Sequence, residues 1–197
     1  MLLQIFPEII YKENLSIDSY SLDNIKFKDD FSLDEKVLNL KEFKKIKELI
    51  ETHLKKYTHD ILEISKELNF YITRSWIIKV EKAEVFPSHQ HTNSFFTGVL
   101  YLNVDEGKDA IIFEKEPYYQ YVKYDYENTN IFNQMKVNFF PKKNDLLIFN
   151  ARLFHQIGPH LTTNPRICLA FEVFAKGVFG KNNKGNSLNS GRLILNE

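Results

Sequence analysis

The chain has 197 residues, with 26 Lys and Arg balanced by 26 Asp and Glu, six His and a single Cys. That length suits one domain, since roughly 100–200 residues usually share one core, so a single unit over 1–197 is expected. Zero net charge gives no electrostatic footprint for a nucleic-acid polymer, which is not the expected partner, and one cysteine excludes an intramolecular disulfide framework and a cysteine-rich zinc site. A lone thiol suits a reducing cytoplasm, and any metal must be held by His, Asp or Glu.

The N-terminal stretch Met1-Leu-Leu-Gln-Ile-Phe-Pro-Glu-Ile-Ile is apolar, but no basic segment precedes it and Pro7 and Glu8 interrupt it. It reads as a first strand and not as a signal peptide. No run of 18 apolar residues occurs, so a membrane-spanning helix is not expected and the chain reads as soluble. With 43% hydrophobic and 14% aromatic residues it is well supplied for a packed core.

Over 43–68 the apolar positions Phe43, Ile46, Ile50, Leu54, Tyr57, Ile61, Ile64 and Leu68 recur in steps of three or four. This spacing keeps one stripe on one helix or on two consecutive ones, with Lys44, Lys45, Lys47, Glu48, Glu51 and Lys55 as the solvated face. Residues 1–68 therefore read as an N-terminal strand and helical support. His53 and His59 fall in this segment and read as ordinary polar residues.

From 69 onward short runs of Phe, Tyr, Ile, Val and Leu alternate with Pro, Gly, Asn and Asp, which predicts strands at 70–73, 76–82, 95–104, 110–114, 120–124, 136–140, 146–149 and 166–174. Many short strands without interleaved helices predict a sandwich, jelly roll or small barrel over 69–175. The segment 176–191 is rich in Gly, Asn, Ser and Lys and reads as a long loop before a short final segment at 192–195. Within 176–197 it could serve as a lid, or as a docking arm in a homo-oligomer.

Three histidines are the candidate metal ligands. In His89-Gln-His91 an extended backbone places both imidazoles on one face, within reach of one metal. A plainer reading is a pair of polar strand residues. The segment from Asp145 to His155 supplies a polar turn, an apolar strand and a bend, which would bring a third imidazole from a separate strand. Arg166 follows eleven residues later and opens a strand that places Ile167, Leu169, Phe171 and Val173 on one face and Arg166, Cys168, Ala170 and Glu172 on the other. The first face suits cover by the helix, and the second suits a cavity wall. There an arginine can grip a carboxylate through two parallel hydrogen bonds, a geometry lysine lacks. A surface ion pair is the competing role for Arg166.

The block from His89 to Leu102, the stretch from Asp145 to His155 and the interval to Arg166 together resemble the iron(II)- and 2-oxoglutarate-dependent oxygenases, and among them the small members of marine bacteria and phages. The resemblance covers roughly Trp76 to Phe174. It implies a mainly β fold, a double-stranded β-helix or cupin-like jelly roll with N-terminal helices packed on the major sheet. It also implies Fe(II) bound by His89 and His155, 2-oxoglutarate held by Arg166, and O2 as the oxidant.

Two positions depart from the family pattern. His91 stands where the commonest pattern has a carboxylate, so the third ligand could be His91, a neighbouring carboxylate such as Glu84 or Glu114, or nothing from the protein. The spacing favours His91. Cys168 stands where many members have a serine beside the co-substrate. If register holds from His91, then Thr97, Val99, Tyr101 and Asn103 line the cavity, and a strand tyrosine often touches 2-oxoglutarate in this family. Tyr101 thus joins Arg166 and Cys168 as candidate co-substrate contacts. Tyr118 and Tyr121, in a tyrosine-rich run that could cover an organic substrate or form a surface hairpin, and Trp76 are the candidate substrate contacts.

The expected activity is hydroxylation of a small molecule, amino acid or peptide, coupled to decarboxylation of 2-oxoglutarate to succinate. A three-histidine cupin-type dioxygenase or isomerase that does not use 2-oxoglutarate is the first alternative. A non-catalytic jelly-roll binding module is the second.

Overall fold

The structure, a computed structural model, describes residues 7–81, 86–115, 125–180 and 193–195. Among the described residues the one regular α-helix, α1 (Lys44–Lys55), turns Ile46, Ile50 and Leu54 inward and leaves the lysines and glutamates of the stripe's far side outward. The Thr58 hydroxyl donates back to the Leu54 carbonyl at 2.9 Å, and the helix widens into a π-helical turn at Lys56–Ile61. It stops there, because Glu63 takes a left-handed conformation (φ 51°). The expected helical span of 43–68 is therefore too long: Ile61 is 44% exposed, and Ile64 reaches the core from the loop beyond.

The strands of the described residues form two antiparallel sheets. The larger places β1 (Ile10–Asn14), β9 (Asp145–Asn150), β6 (Phe96–Asn103), β11 (Arg166–Phe179), β4 (Asn69–Val80), β3 (Phe31–Ser32) and β2 (Phe27–Lys28) side by side in that order, with β12 (Leu193–Leu195) paired to the far end of β11. The smaller runs β5 (Phe86–His89), β10 (Phe154–Ile157), β7 (Ile111–Glu114) and β8 (Lys136–Phe139). This is a jelly roll, mainly β, with the helix on the major sheet.

The alternation read in β11 explains the layering. Leu169, Phe171 and Val173 share one core cluster with Ile46, Ile50, Leu54 and Tyr57 of the helical layer, while Cys168 and Ala170 share a second with Tyr101, Phe113 and Phe149 between the sheets. Gly98 of β6 lies where the strands crowd most. A Cβ there would sit 2.2 Å from Cζ of Phe171 and 2.8 Å from the Leu147 carbonyl oxygen, so only glycine fits.

Several strand boundaries differ from expectation. The first described strand begins at Ile10, where the apolar N-terminal stretch ends, and residues 1–6 lie outside the described residues. The spans 70–73 and 76–82 are one strand, since Ser75 is buried and its hydroxyl accepts the Leu38 amide at 2.9 Å, so the polar pair Arg74-Ser75 does not break it. The very short β2 and β3 and the histidine-bearing β5 and β10 carry too little alternation to be read in advance. The expected strand at 120–124 lies outside the described residues.

Candidate metal centre

His89 ends β5 and pairs directly across the smaller sheet with His155 of β10. His91 follows in the loop, where its backbone amide donates to the Ala151 carbonyl at 2.9 Å and ties the loop to the bend before β10. Ring centroids lie 4.4 Å apart for His89 and His155 and 5.2 Å apart for each of the other two pairs. One nitrogen from each ring falls within 4.8 Å of the others, and among the described residues this group contains no carboxylate.

The hydrogen bonds fix which nitrogens are free. Nδ1 of His89 meets the Pro87 carbonyl and Nδ1 of His155 the Leu153 carbonyl, each at 2.9 Å. A carbonyl only accepts, so both Nδ1 atoms carry the proton and both Nε2 lone pairs are open. Nδ1 of His91 meets Oε1 of Glu172 at 2.9 Å. That bond, together with Arg74, holds the Glu172 carboxyl below its ordinary range, so it too accepts. Three Nε2 lone pairs are thus left open while the second nitrogens are anchored, the usual arrangement of histidines that bind a metal. Burial against Phe149 and Phe113 pushes the His155 imidazole down to about 4, which leaves it neutral and ready to bind at neutral pH.

The same cavity, about 700 Å³ including its open mouth, is lined by all three histidines, Arg166, Tyr101, Cys168, Thr97 and Trp76. Arg166 is 1% exposed. Its Nη1 donates to the Gly158 carbonyl at 3.2 Å and lies 3.7 Å from Oδ1 of Asp109. Nε and Nη2, which share one edge of the guanidinium plane, have no hydrogen-bond partner among the described residues. An unpaired buried donor pair costs free energy, and a planar dianion with a carboxylate end is the partner that this edge fits. Asp109 is itself held: Oδ1 accepts from Nδ1 of His160 at 2.7 Å and Oδ2 accepts from the Asp105 amide at 2.9 Å.

Tyr101 is fully buried, which raises its phenol well above the ordinary value and keeps it a neutral donor. Burial likewise pushes the Cys168 thiol up to about 12, so it faces the cavity uncharged and not as a thiolate ligand. Trp76 borders the cavity with its ring centroid 6.1 Å from that of His91.

The expected residues mostly converge. His89, His91, His155, Arg166, Tyr101, Cys168 and Trp76 meet in one cavity, as do Thr97 and Val99. Asn103 does not: a bulge between Ile167 and Cys168 shifts the register, and its amide instead donates to Asn164 and to the Pro165 carbonyl. Glu114 is not among the metal-capable atoms and pairs with Lys136. Glu84, Tyr118 and Tyr121 lie outside the described residues. Asp109 and His160 were not legible in advance, since Asp109 sits in a charged turn that reads as solvated. Glu172 carried a signal, as the one acidic residue on the cavity face of β11.

Known proteins share a sequence span and the fold with this chain. The family model described as "Putative 2OG-Fe(II) oxygenase" matches residues 74–172, half of the chain, and that span contains all three histidines and Arg166. No curated protein matches. Among solved structures, an oxidoreductase of the 2OG-Fe(II) oxygenase family from Burkholderia pseudomallei is similar with TM-score 0.51 and 14% identity over 85% of this chain and 71% of its own. The non-heme alpha-ketoglutarate-dependent epimerase SnoN of nogalamycin biosynthesis is similar with TM-score 0.53 and 13% identity over the same shares. At such identities these two share the fold. The matched span and the jelly roll together establish that the chain belongs to the 2OG-Fe(II) oxygenase family, whose cofactors are iron and 2-oxoglutarate.

Proposed function

We propose that this oxygenase hydroxylates a small-molecule, amino-acid or peptide substrate in a reducing cytoplasm. Fe(II) is held by Nε2 of His89, His91 and His155, and 2-oxoglutarate by Arg166. One observation carries the reading: three free imidazole nitrogens and the free edge of a buried guanidinium open onto the same cavity. When bound, iron, 2-oxoglutarate and O2 together supply a two-electron oxidation of a C–H bond, with 2-oxoglutarate leaving as succinate and CO2.

The chain's own part is binding, orientation and exclusion of water. Arg166 offers Nε–H and Nη2–H to the far carboxylate of the co-substrate, while Gly158 and Asp109 fix the other end of the guanidinium. Tyr101 adds a neutral hydroxyl donor, and Cys168 adds no charge beside the dianion. Ile78, Val99, Phe149 and Ile157 line the cavity with hydrocarbon, which keeps water from competing for these bonds. Trp76, with Phe31 and Phe86 stacked edge-to-face at 5.3 Å, offers the aromatic surface for the substrate.

The test is an anaerobic titration of the Fe(II)-loaded protein with 2-oxoglutarate, followed by exposure to O2. An absorption change on titration and release of succinate are expected. A spectrum that 2-oxoglutarate leaves unchanged rejects the reading. The three-imidazole set also fits a cupin-type metal enzyme that has no use for 2-oxoglutarate, and Arg166→Ala separates the two: such an enzyme keeps its activity, whereas the proposed oxygenase loses its co-substrate.

A further inference from the structure

Three imidazoles bring no charge to a divalent ion. Non-haem iron sites of this type normally include one carboxylate ligand, which offsets part of the metal's charge. Among the described residues the metal-capable group has none. Among the described residues, a carboxylate lies one hydrogen bond further out. Glu172 lies on the cavity face of β11, 8% exposed, with Oε1 at 2.9 Å from Nδ1 of His91. His89 and His155 use carbonyl oxygens in the same place, so among the described residues His91 is the ring of the three with an anion behind it.

We propose that Glu172 is the charge-bearing partner of the metal centre, acting through His91. The missing ligand carboxylate is thereby displaced one imidazole outward and not lost. This rests on the three-histidine reading above. Glu172 is a positioning residue: it fixes the tautomer and the plane of His91 and makes that ring a stronger donor to the ion.

The surrounding charges leave the carboxylate free for this role. Arg74 Nη1 lies 3.4 Å from Oε2 of Glu172, but its Nη2 is bound more closely, at 2.8 Å, by Oε1 of Glu35. The row Glu35, Arg74, Glu172 thus carries two negative charges and one positive, and the surplus negative charge lies toward the ion. Arg74 also stacks 5.2 Å over Trp76, so its place is fixed from two sides. The competing explanation makes Glu172 only a partner for Arg74 that pins β11 to β4. That explanation gives Arg74 and Glu172 equal importance and assigns no effect on the metal.

Glu172→Gln keeps the shape and an acceptor for Nδ1–H but removes the charge, and Arg74→Gln removes the ion pair while leaving the Glu172–His91 bond. Co(II) serves as the probe, with affinity read by competition against a chelator and geometry by the visible absorption bands. Glu172→Gln is expected to weaken Co(II) binding by about 10–100-fold and to shift the bands, while Arg74→Gln keeps the parent affinity. Wild-type affinity in Glu172→Gln, or an equal loss in Arg74→Gln, overturns the proposal. If binding is lost in His155→Ala yet unchanged in Glu172→Gln, the three-histidine reading stands and this inference falls. If the parent chain binds neither Co(II) nor Fe(II), both fall. A measurement on the unmutated Zn(II)-loaded chain covers the case of a variant that does not fold. The Nδ1–H proton of His91 should resonate downfield of those of His89 and His155, because its acceptor is a carboxylate, and a position among the other two overturns the proposal.

Discussion

Arg166 concentrates the argument at the scale of single residues, because a buried guanidinium with a free edge has a definite complement. Lysine at this position keeps the charge but has no fork, so Arg166→Lys is expected to weaken 2-oxoglutarate binding by about 1.5–3 kcal/mol, roughly 10–150-fold. An anaerobic binding titration of the Fe(II)-loaded variant measures it, and parent affinity would show that the fork is not used. His155 gives a second prediction, on stability. Its imidazole titrates at about 4 in the folded chain against an ordinary 6.5. Between those values the unfolded chain takes up a proton that the folded one refuses, so stability is complete above pH 6.5 and is lost as pH falls toward 4. The full effect is on the order of 3 kcal/mol. Melting of the metal-free protein should therefore drop between pH 7 and pH 5, and more steeply than in His155→Gln; equal slopes would contradict the assignment. Strand alternation made Arg166 legible as a residue of the cavity face, whereas its role and that of His155 came from the family resemblance. Asp109 and His160 were not legible, since the contact between them joins two loops 51 positions apart and leaves no periodic trace.

Elements were legible in proportion to how differently their two faces are buried. In β11 one face meets the helical layer and the other the cavity, so Leu169 and Phe171 separate cleanly from Cys168 and Ala170. The helix was overextended for the opposite reason: Ile64 keeps the 3.6-residue rhythm but packs on the core from a loop, so periodicity persists where helical backbone does not. In β5 and β10 histidines share the inward face with Phe86 and Ile157, which weakens the hydrophobic signal. Gly98 is the element-level position with the sharpest consequence. A methyl group there would overlap the fully buried Phe171 ring and the backbone of β9, and neither can withdraw. Gly98→Ala is expected to destabilise the fold by about 1–3 kcal/mol, measured by urea denaturation at constant metal content. An unchanged midpoint would mean that β6 can separate from its neighbours at no cost.

In the whole molecule the candidate metal centre is a seam between layers. His89 and His155 belong to the smaller sheet, while His91 is tied through Glu172 to β11 at the middle of the larger one, so an ion bound by all three joins the two sheets at the mouth of the jelly roll. An unfolded chain cannot present these nitrogens together, because His91 and His155 are 64 positions apart and binding would first have to close that loop. Binding to the folded state alone then adds stability by mass action, about 2.7 kcal/mol when free metal is a hundred times its dissociation constant. For a chain of this length each kcal/mol moves the melting temperature by about 2–4 °C, so Co(II) at that level should raise it by about 5–11 °C. The rise should vanish in His155→Ala and in His91→Ala alike, since either leaves the ion attached to one sheet or held by two ligands. A rise that survives His91→Ala at full size would place the ion on the smaller sheet alone, and the seam would then have to be held by hydrophobic packing between the sheets without help from the metal.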